Sequence, residues 1–180
     1  MAITPLDVQQ NDKQLKGHLL DGQLDGALHI KDGGRAQADL HYSQGELQGT
    51  TLLYHPNGKL SAQLPFVQDK LQGVASFYAP EGWLQRKASY RRGLLDGEAF
   101  NYFPEGQLAE VELYRDGVRE GRYQRFHPNG KPAVQAHYLN GQLIEPEQGY
   151  ASDGRPLDVE GKPISRVRWW FRRWNDPAQT

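Results

Sequence analysis

The chain has 180 residues, no cysteine, and 21 basic against 22 acidic side chains, for a formal net charge of -1. That balance excludes the basic excess of a non-specific nucleic-acid binder. The missing cysteines exclude a disulfide framework, a cysteine-ligated zinc site and a thiol nucleophile, and the length predicts a single domain.

The N-terminal segment, residues 1–19, is polar. It lacks the basic patch and apolar run of a signal peptide. Met1–Gln14 reads as a flexible start, either the mature end left after a signal peptide is removed or an ordinary polar beginning. No apolar run anywhere approaches the roughly 20 residues of a spanning helix.

Residues 20–156 are a repeat, the feature to seek first in any chain. Gly34, Gly58, Gly82, Gly106, Gly130 and Gly154 recur every 24 residues. Gly49, Gly73, Gly97 and Gly121 form a second column, which Gly26 joins after a one-residue deletion. Ile30, Tyr54, Tyr78, Tyr102, Phe126 and Tyr150 make a third, four residues before the first. Tyr42, Phe66, Tyr90, Tyr114 and Tyr138 make a fourth. Each unit reads as a β-hairpin. In Gly49 to Gly73, Thr50–His55 favours a strand, and Pro56–Asn57–Gly58 is a turn, because Pro fixes φ and Asn-Gly tolerates positive φ. Leu60, Ala62, Leu64 and Phe66 then alternate along a return strand. Arg92–Gly93, Asp116–Gly117 and Asn140–Gly141 mark the second turn in other copies. The expected fold is all-β: an elongated, single-sheet antiparallel repeat of about six stacked hairpins, or roughly twelve strands, with the ring columns as its core.

Residues 157–180 depart from the pattern, as a capping segment does. Pro163 is placed to open a helix. Ile164, Val167, Trp170, Phe171 and Trp174 share one helical face, with Arg166, Arg168, Arg172 and Arg173 around it. Gly161–Thr180 carries a net +4, which leaves -5 on the rest. This short helical cap shields the last hairpin, contacts a partner, or lies on an anionic membrane. The membrane reading is the least favoured, since so short a segment anchors weakly.

The unit in Tyr54–His55–Pro56–Asn57–Gly58–Lys59–Leu60 returns in Phe126–His127–Pro128–Asn129–Gly130–Lys131–Pro132. It ends in Tyr138–Leu139–Asn140–Gly141–Gln142–Leu143. It resembles the MORN repeat variant found in bacterial proteins of the YwqK-type antitoxin class. The resemblance implies one elongated, twisted sheet, an immunity or antitoxin role, and a cognate toxin encoded alongside. A type VI secretion effector such as a phospholipase fits that class. It implies a periplasmic location with a removed signal peptide, the cytoplasm being the alternative. A membrane- or lipid-associated scaffold is the second reading the resemblance leaves.

Partner contacts are expected where the copies differ. Trp83 takes the position of Lys59, Gln107 and Lys131. Phe103 replaces His55, Ala79 and His127, while Arg125, with Phe77 and Asn101, replaces Leu53. With Arg166, Arg168, Trp169, Trp170, Arg172 and Arg173 these are the candidate partner-binding residues, of the types enriched at hot spots. The alternative for Trp83 and Phe103 is that they fill local gaps in a one-layer sheet.

No catalytic constellation stands out, so the expectation is a protein that is not an enzyme and needs no cofactor or metal. There is no nucleophile elbow and no phosphate loop. The six histidines include no metal-binding spacing, and His55 and His127 are equivalent positions three repeats apart. His29–Ile30–Lys31 begins like a phospholipase D motif, but Ala36 stands where that motif requires Asp, and no second copy exists.

Overall fold

The computed structural model describes residues 1–175, with side chains through Trp170. In chain order the strands are β1 (Ile3–Gln10), β2 (Lys13–Leu20), β3 (Gln23–Leu24), β4 (Gly26–Asp32), β5 (Arg35–Ser43) and β6 (Glu46–Leu47). Then follow β7 (Gly49–Tyr54), β8 (Leu60–Val67), β9 (Lys70–Leu71), β10 (Gly73–Tyr78), β11 (Leu84–Arg91) and β12 (Leu94–Tyr102). The last are β13 (Leu108–Arg115), β14 (Val118–Arg119), β15 (Gly121–Phe126), β16 (Pro132–Leu139), β17 (Gln142–Leu143) and β18 (Gln148–Gly149), before the helix α1 (Arg166–Asn175). All 18 strands join one antiparallel sheet. Twelve have six to nine residues, matching the expected hairpins, and the others are two-residue pieces. Each long strand pairs with its neighbour in the chain, so the sheet is an open meander.

Four of the two-residue strands, β3, β6, β9 and β14, arise from the second glycine column. Two residues with positive φ, such as Arg92 and Gly93 or Asp116 and Gly117, make the tight turn, as a twisted hairpin demands. The chain then bulges at the residue before the column glycine. That residue, Gln48, Gln72, Asp96 or Glu120, accepts a hydrogen bond through its side chain from the backbone N–H of Gln68, Arg92, Asp116 or Asn140 in the next turn. At Gly121 φ is 90°, the left-handed region that favours glycine, and a Cβ would lie 2.9 Å from the end of the exposed Leu113 side chain, which would have to shift.

The opposite turns are tied to one another by side chains. The Nε2 of His55 meets the carbonyl of Tyr78 at 2.8 Å. Since a carbonyl only accepts, Nε2 carries the hydrogen. Asn57 donates to the Pro80 carbonyl at 2.7 Å and Lys59 to the Glu81 carbonyl at 2.8 Å. His127, Asn129 and Lys131 repeat the three bonds on Tyr150, Ser152 and Asp153. The conspicuous His-Pro-Asn-Gly-Lys string is therefore a clip that holds each turn to the next repeat. Asn57→Ala removes one donor and the internal bond to the Lys59 N–H. It is expected to lower stability by about 1 kcal/mol, with faster amide exchange confined to the turns around Pro56 and Pro80. Urea titration and hydrogen exchange measure both.

Register partners share a face and successive residues alternate between faces, so the two ring columns lie on opposite sides of the sheet. On the front face Phe66, Tyr90, Tyr114 and Tyr138 oppose the glycines of the second column. On the back face stand Tyr54, Tyr78, Tyr102, Phe126 and Tyr150. This corrects the expectation that the rings are the core, because they are half-buried. The most buried positions are small: Ala75, Ala88 and Ala99 are fully covered, forming one row in register between the ring row and the row of Phe77. A one-layer sheet has no second layer to cover tall side chains, so only short ones between taller neighbours lose all their water.

Two further differences concern the ends. Residues 3–20, expected to hold a flexible start, form the β1–β2 hairpin, which covers the sheet edge at Leu15–Leu20. At the other end residues 149–164 close the meander. Tyr150 pairs with Pro156 and Leu157 with Pro163, and Arg155 donates to the Ile164 carbonyl at 2.8 Å. The turn at Asp158–Lys162 copies the backbone bonds of His55–Lys59. Pro163 is thus spent on a bridge. The helix begins three residues later, where the Ser165 hydroxyl accepts from the Arg168 N–H at 3.3 Å as an N-cap.

Candidate recognition face

The candidate residues fall in three separate places. Trp83 and Phe103 sit at consecutive turns on the clip edge. Both are half-buried, so neither is an exposed platform. Arg166 and Arg168 are exposed on α1, Trp169 is half-buried, and Trp170 is 57% and Val167 66% exposed. Two members of the expected packing face are therefore more than half exposed. Arg172 and Arg173 lie in α1, but their side chains are outside the described residues, as is everything after Asn175. Arg125 lies elsewhere, on the front face of β15, exposed.

Arg125 stands beside an arrangement the column comparison did not single out. Across β8, β10, β11, β12, β13 and β15 the register aligns Ala62, Phe77, Arg86, Asn101, Glu110 and Arg125 in one front-face row. The row changes from apolar to charged between β10 and β11. Three neighbouring columns change one repeat later, between β12 and β15. Glu112 takes the position of Leu64, Ala88 and Ala136, and Arg119 that of Leu71, Leu95 and Leu143. Tyr123 replaces Thr51, Ala75 and Ala99, and within the row itself Glu110 replaces Ala62.

These side chains form one network. Glu112 is 4% exposed. It accepts from Arg86 at 3.0 Å, from the Tyr114 hydroxyl at 3.0 Å, and from Arg119. Arg86 also donates to the Asn101 side-chain oxygen at 3.0 Å. The Asn101 amide then donates to Glu110 at 2.5 Å, and the Tyr123 hydroxyl donates to the other oxygen of Glu110 at 2.6 Å. The Arg119 guanidinium lies over the rings of Tyr123 and Tyr138, 5.1 and 4.9 Å from their centroids, a favourable cation–π geometry. Tyr138 meets Tyr123 edge-on at 6.0 Å.

The electrostatics follow from these partners. Burial pushes the Glu112 carboxyl up, but the hydrogen bonds from Arg86, Tyr114 and Arg119, with the charge of Arg86, outweigh it and hold Glu112 below its ordinary value. Burial and the Glu110 hydrogen bond push the Tyr123 hydroxyl up to about 12. Both oxygens of Glu110 are taken by Asn101 and Tyr123. Arg125, its cross-strand neighbour, consequently forms no ion pair among the described residues. An unpaired, exposed guanidinium stands at one end of a fixed polar platform, between Glu110 and Val134 in the row, with the half-buried ring of Phe77 at the platform's other end. The arrangement holds charged and aromatic groups in fixed positions on one face. Glu112 and Arg119 were legible as changes of residue class in otherwise apolar columns.

Comparison with protein-family models matches the MORN repeat variant at residues 47–68, 71–92, 95–116 and 119–144, just over half of the chain. The network lies within the last three of these four repeats. Comparison with curated proteins finds no match.

Proposed function

Because the chain belongs to the MORN repeat variant family, a scaffold of stacked hairpins, we propose that it is a non-catalytic recognition protein whose front face docks a partner protein. The observation that carries this reading is the concentration of charged substitutions on one face. Arg86, Glu110, Glu112, Arg119 and Arg125 occupy apolar or small columns within β11–β15, and four of them brace one another. Leaving Arg125 open on such a platform matches the anchor of a protein interface, where arginine is among the residue types that dominate the energy. A structural role alone leaves Arg125 unexplained, since removing it costs no internal ion pair.

The partner in this reading is a bacterial toxin encoded beside the gene, and the mechanism is occlusion: the front face covers the toxin's active-site entrance. Support comes from the likeness of units such as Tyr54–Leu60 to YwqK-type antitoxins. A type VI secretion effector that attacks the envelope, such as a phospholipase, is the cognate class, with binding in the periplasm. Complementary charge speeds capture and sets the register.

Co-expression with the neighbouring toxin gene tests this. The wild-type protein restores growth. Arg125→Glu weakens binding by about 100-fold, as expected for reversing an interface anchor, and loses protection. Glu98→Arg, an exposed site on the back face, keeps both. Absence of protection by the wild type, or full protection by Arg125→Glu, rejects the reading.

A further inference from the structure

The first repeat departs from the others on the back face, and the departure opens a cavity. By sequence spacing Ile30 belongs to the ring column of Tyr54, but the register decides otherwise. The bulge falls between Ile30 and Lys31, with Lys31 opposite Ala36, as it falls between Leu53 and Tyr54, with Tyr54 opposite Leu60. Lys31 therefore occupies the ring column, which Tyr54, Tyr78, Tyr102, Phe126 and Tyr150 fill elsewhere. Where the ladder of rings stops, a solvent-open pocket of about 280 Å³ remains, lined by the half-buried Gln14 and the exposed Lys16, His29 and Lys31.

Its polar groups are organised from behind. The His29 Nδ1 lies 2.6 Å from one oxygen of Asp39, and the Tyr54 hydroxyl donates to the other at 2.7 Å. The second contact is a variation on the repeat, since Tyr150 makes it to Gln135 at the equivalent positions. Burial pushes the Asp39 carboxyl up. The Tyr54 and His29 hydrogen bonds outweigh it and hold Asp39 below its ordinary value. The ionised carboxylate takes the hydrogen of Nδ1, which fixes the imidazole and leaves Nε2 free of that bond. Asp39 has both oxygens occupied. Lys31 forms no ion pair among the described residues, and Lys16 reaches only Asp7, at 3.6 Å with both side chains more than half exposed. Such a pair is weak and gives way to a better partner.

We propose that this cavity binds a phosphate monoester, with Lys16 and Lys31 neutralising its charge and Gln14 donating a hydrogen bond, while His29, held in place by Asp39, forms one wall. Two ammonium groups and a carboxamide facing one small space match the several acceptor oxygens of a phosphoryl dianion. The site is on the face opposite Arg125 and is independent of the toxin reading.

Amide chemical shifts of the full chain titrated with sodium phosphate and with glycerol phosphate at pH 7 test it. Shifts confined to residues 14–16, 29–31 and 39 are expected, with a Kd on the order of 1 mM for so small a ligand. Lys31→Ala is expected to weaken binding about tenfold. Lys87→Ala, an exposed lysine on the same face outside the cavity, leaves it unchanged. Vesicles carrying phosphatidic acid separate the sources: binding to the soluble esters assigns a soluble ligand, and binding to vesicles alone assigns a lipid headgroup. No localised shifts with either, or equal weakening by Lys31→Ala and Lys87→Ala, overturns the proposal. Circular dichroism of both variants confirms that the sheet is intact.

Discussion

Glu112→Ala is expected to lower stability by about 2–3 kcal/mol and the melting temperature by about 5–10 °C. Removing one member of a buried ion pair costs about 3–5 kcal/mol. The lower figure applies because the side chains of Arg86 and Arg119 are 27% and 34% exposed, and water screens part of the loss. Glu112→Ala with Arg119→Leu reproduces the Ala88 and Leu95 of the preceding repeat. It is expected to come within about 1 kcal/mol of wild type, since apolar replacement of a buried pair is often near neutral. A double variant as unstable as the single one would show that the network is more than an exchange of one packing solution for another. The pH dependence is set by the lowered value of Glu112. Its contribution is full above the ordinary value of 4.5 and is lost as pH falls through the folded value below it. The gap between wild type and Glu112→Ala therefore closes in acid. Urea titrations at pH 7 and pH 3 measure it.

Ala62→Glu is expected to have an effect of similar size and opposite pH dependence. Ala62 is 5% exposed and holds the position of Glu110 two repeats earlier. Its register partners are Leu53 and Phe77, where Glu110 has Asn101 and Arg125. The new carboxylate meets no donor and is expected to cost about 2–4 kcal/mol at pH 7. Burial without a partner raises its folded value above the unfolded one, so stability is lost as pH rises through that window and recovers in acid. Thermal melts at pH 4 and pH 7 decide it. A variant more stable at pH 7 than at pH 4, relative to wild type, would show that this row tolerates charge without partners. The identity of the neighbours, and not the column itself, makes Glu110 acceptable.

Much of the fold was readable because the repeat displays its own constraints. Gly58 and Gly121 recur where the backbone needs positive φ, and the alternation in Leu60–Phe66 marks a strand with one apolar face. The His-Pro-Asn-Gly-Lys string was legible as a turn. Its second role, clipping the next repeat through His55, Asn57 and Lys59, was not, because the acceptors are backbone carbonyls and leave no mark on residue identity. The N-terminal segment was misread as flexible for a related reason. Its polar residues look unstructured alone and become a strand when β2 supplies the partner edge. The helix start was misplaced because Pro163 satisfies two roles equally well in sequence, and only the bridge to Leu157 distinguishes them.

The candidate site was less legible. Arg125 stood out as a substitution, but its meaning depended on Glu110 being occupied by Asn101 and Tyr123, residues 9 and 13 positions away from Glu110. The column of Lys31 was misassigned because a one-residue deletion offers two alignments, and register alone chooses between them.

The sequence by itself determined the repeat length, the hairpin, the two turn chemistries and the all-β class, since each is a local requirement of backbone dihedrals and strand alternation that every copy must meet. The tertiary structure decided which columns share a face, that a row of alanines is buried while the two ring columns are only half-buried, and that the charged substitutions of three repeats converge on one platform. Those facts depend on cross-strand register, where a shift of one residue exchanges the two faces of a strand, and register is a property of paired strands that no single segment carries.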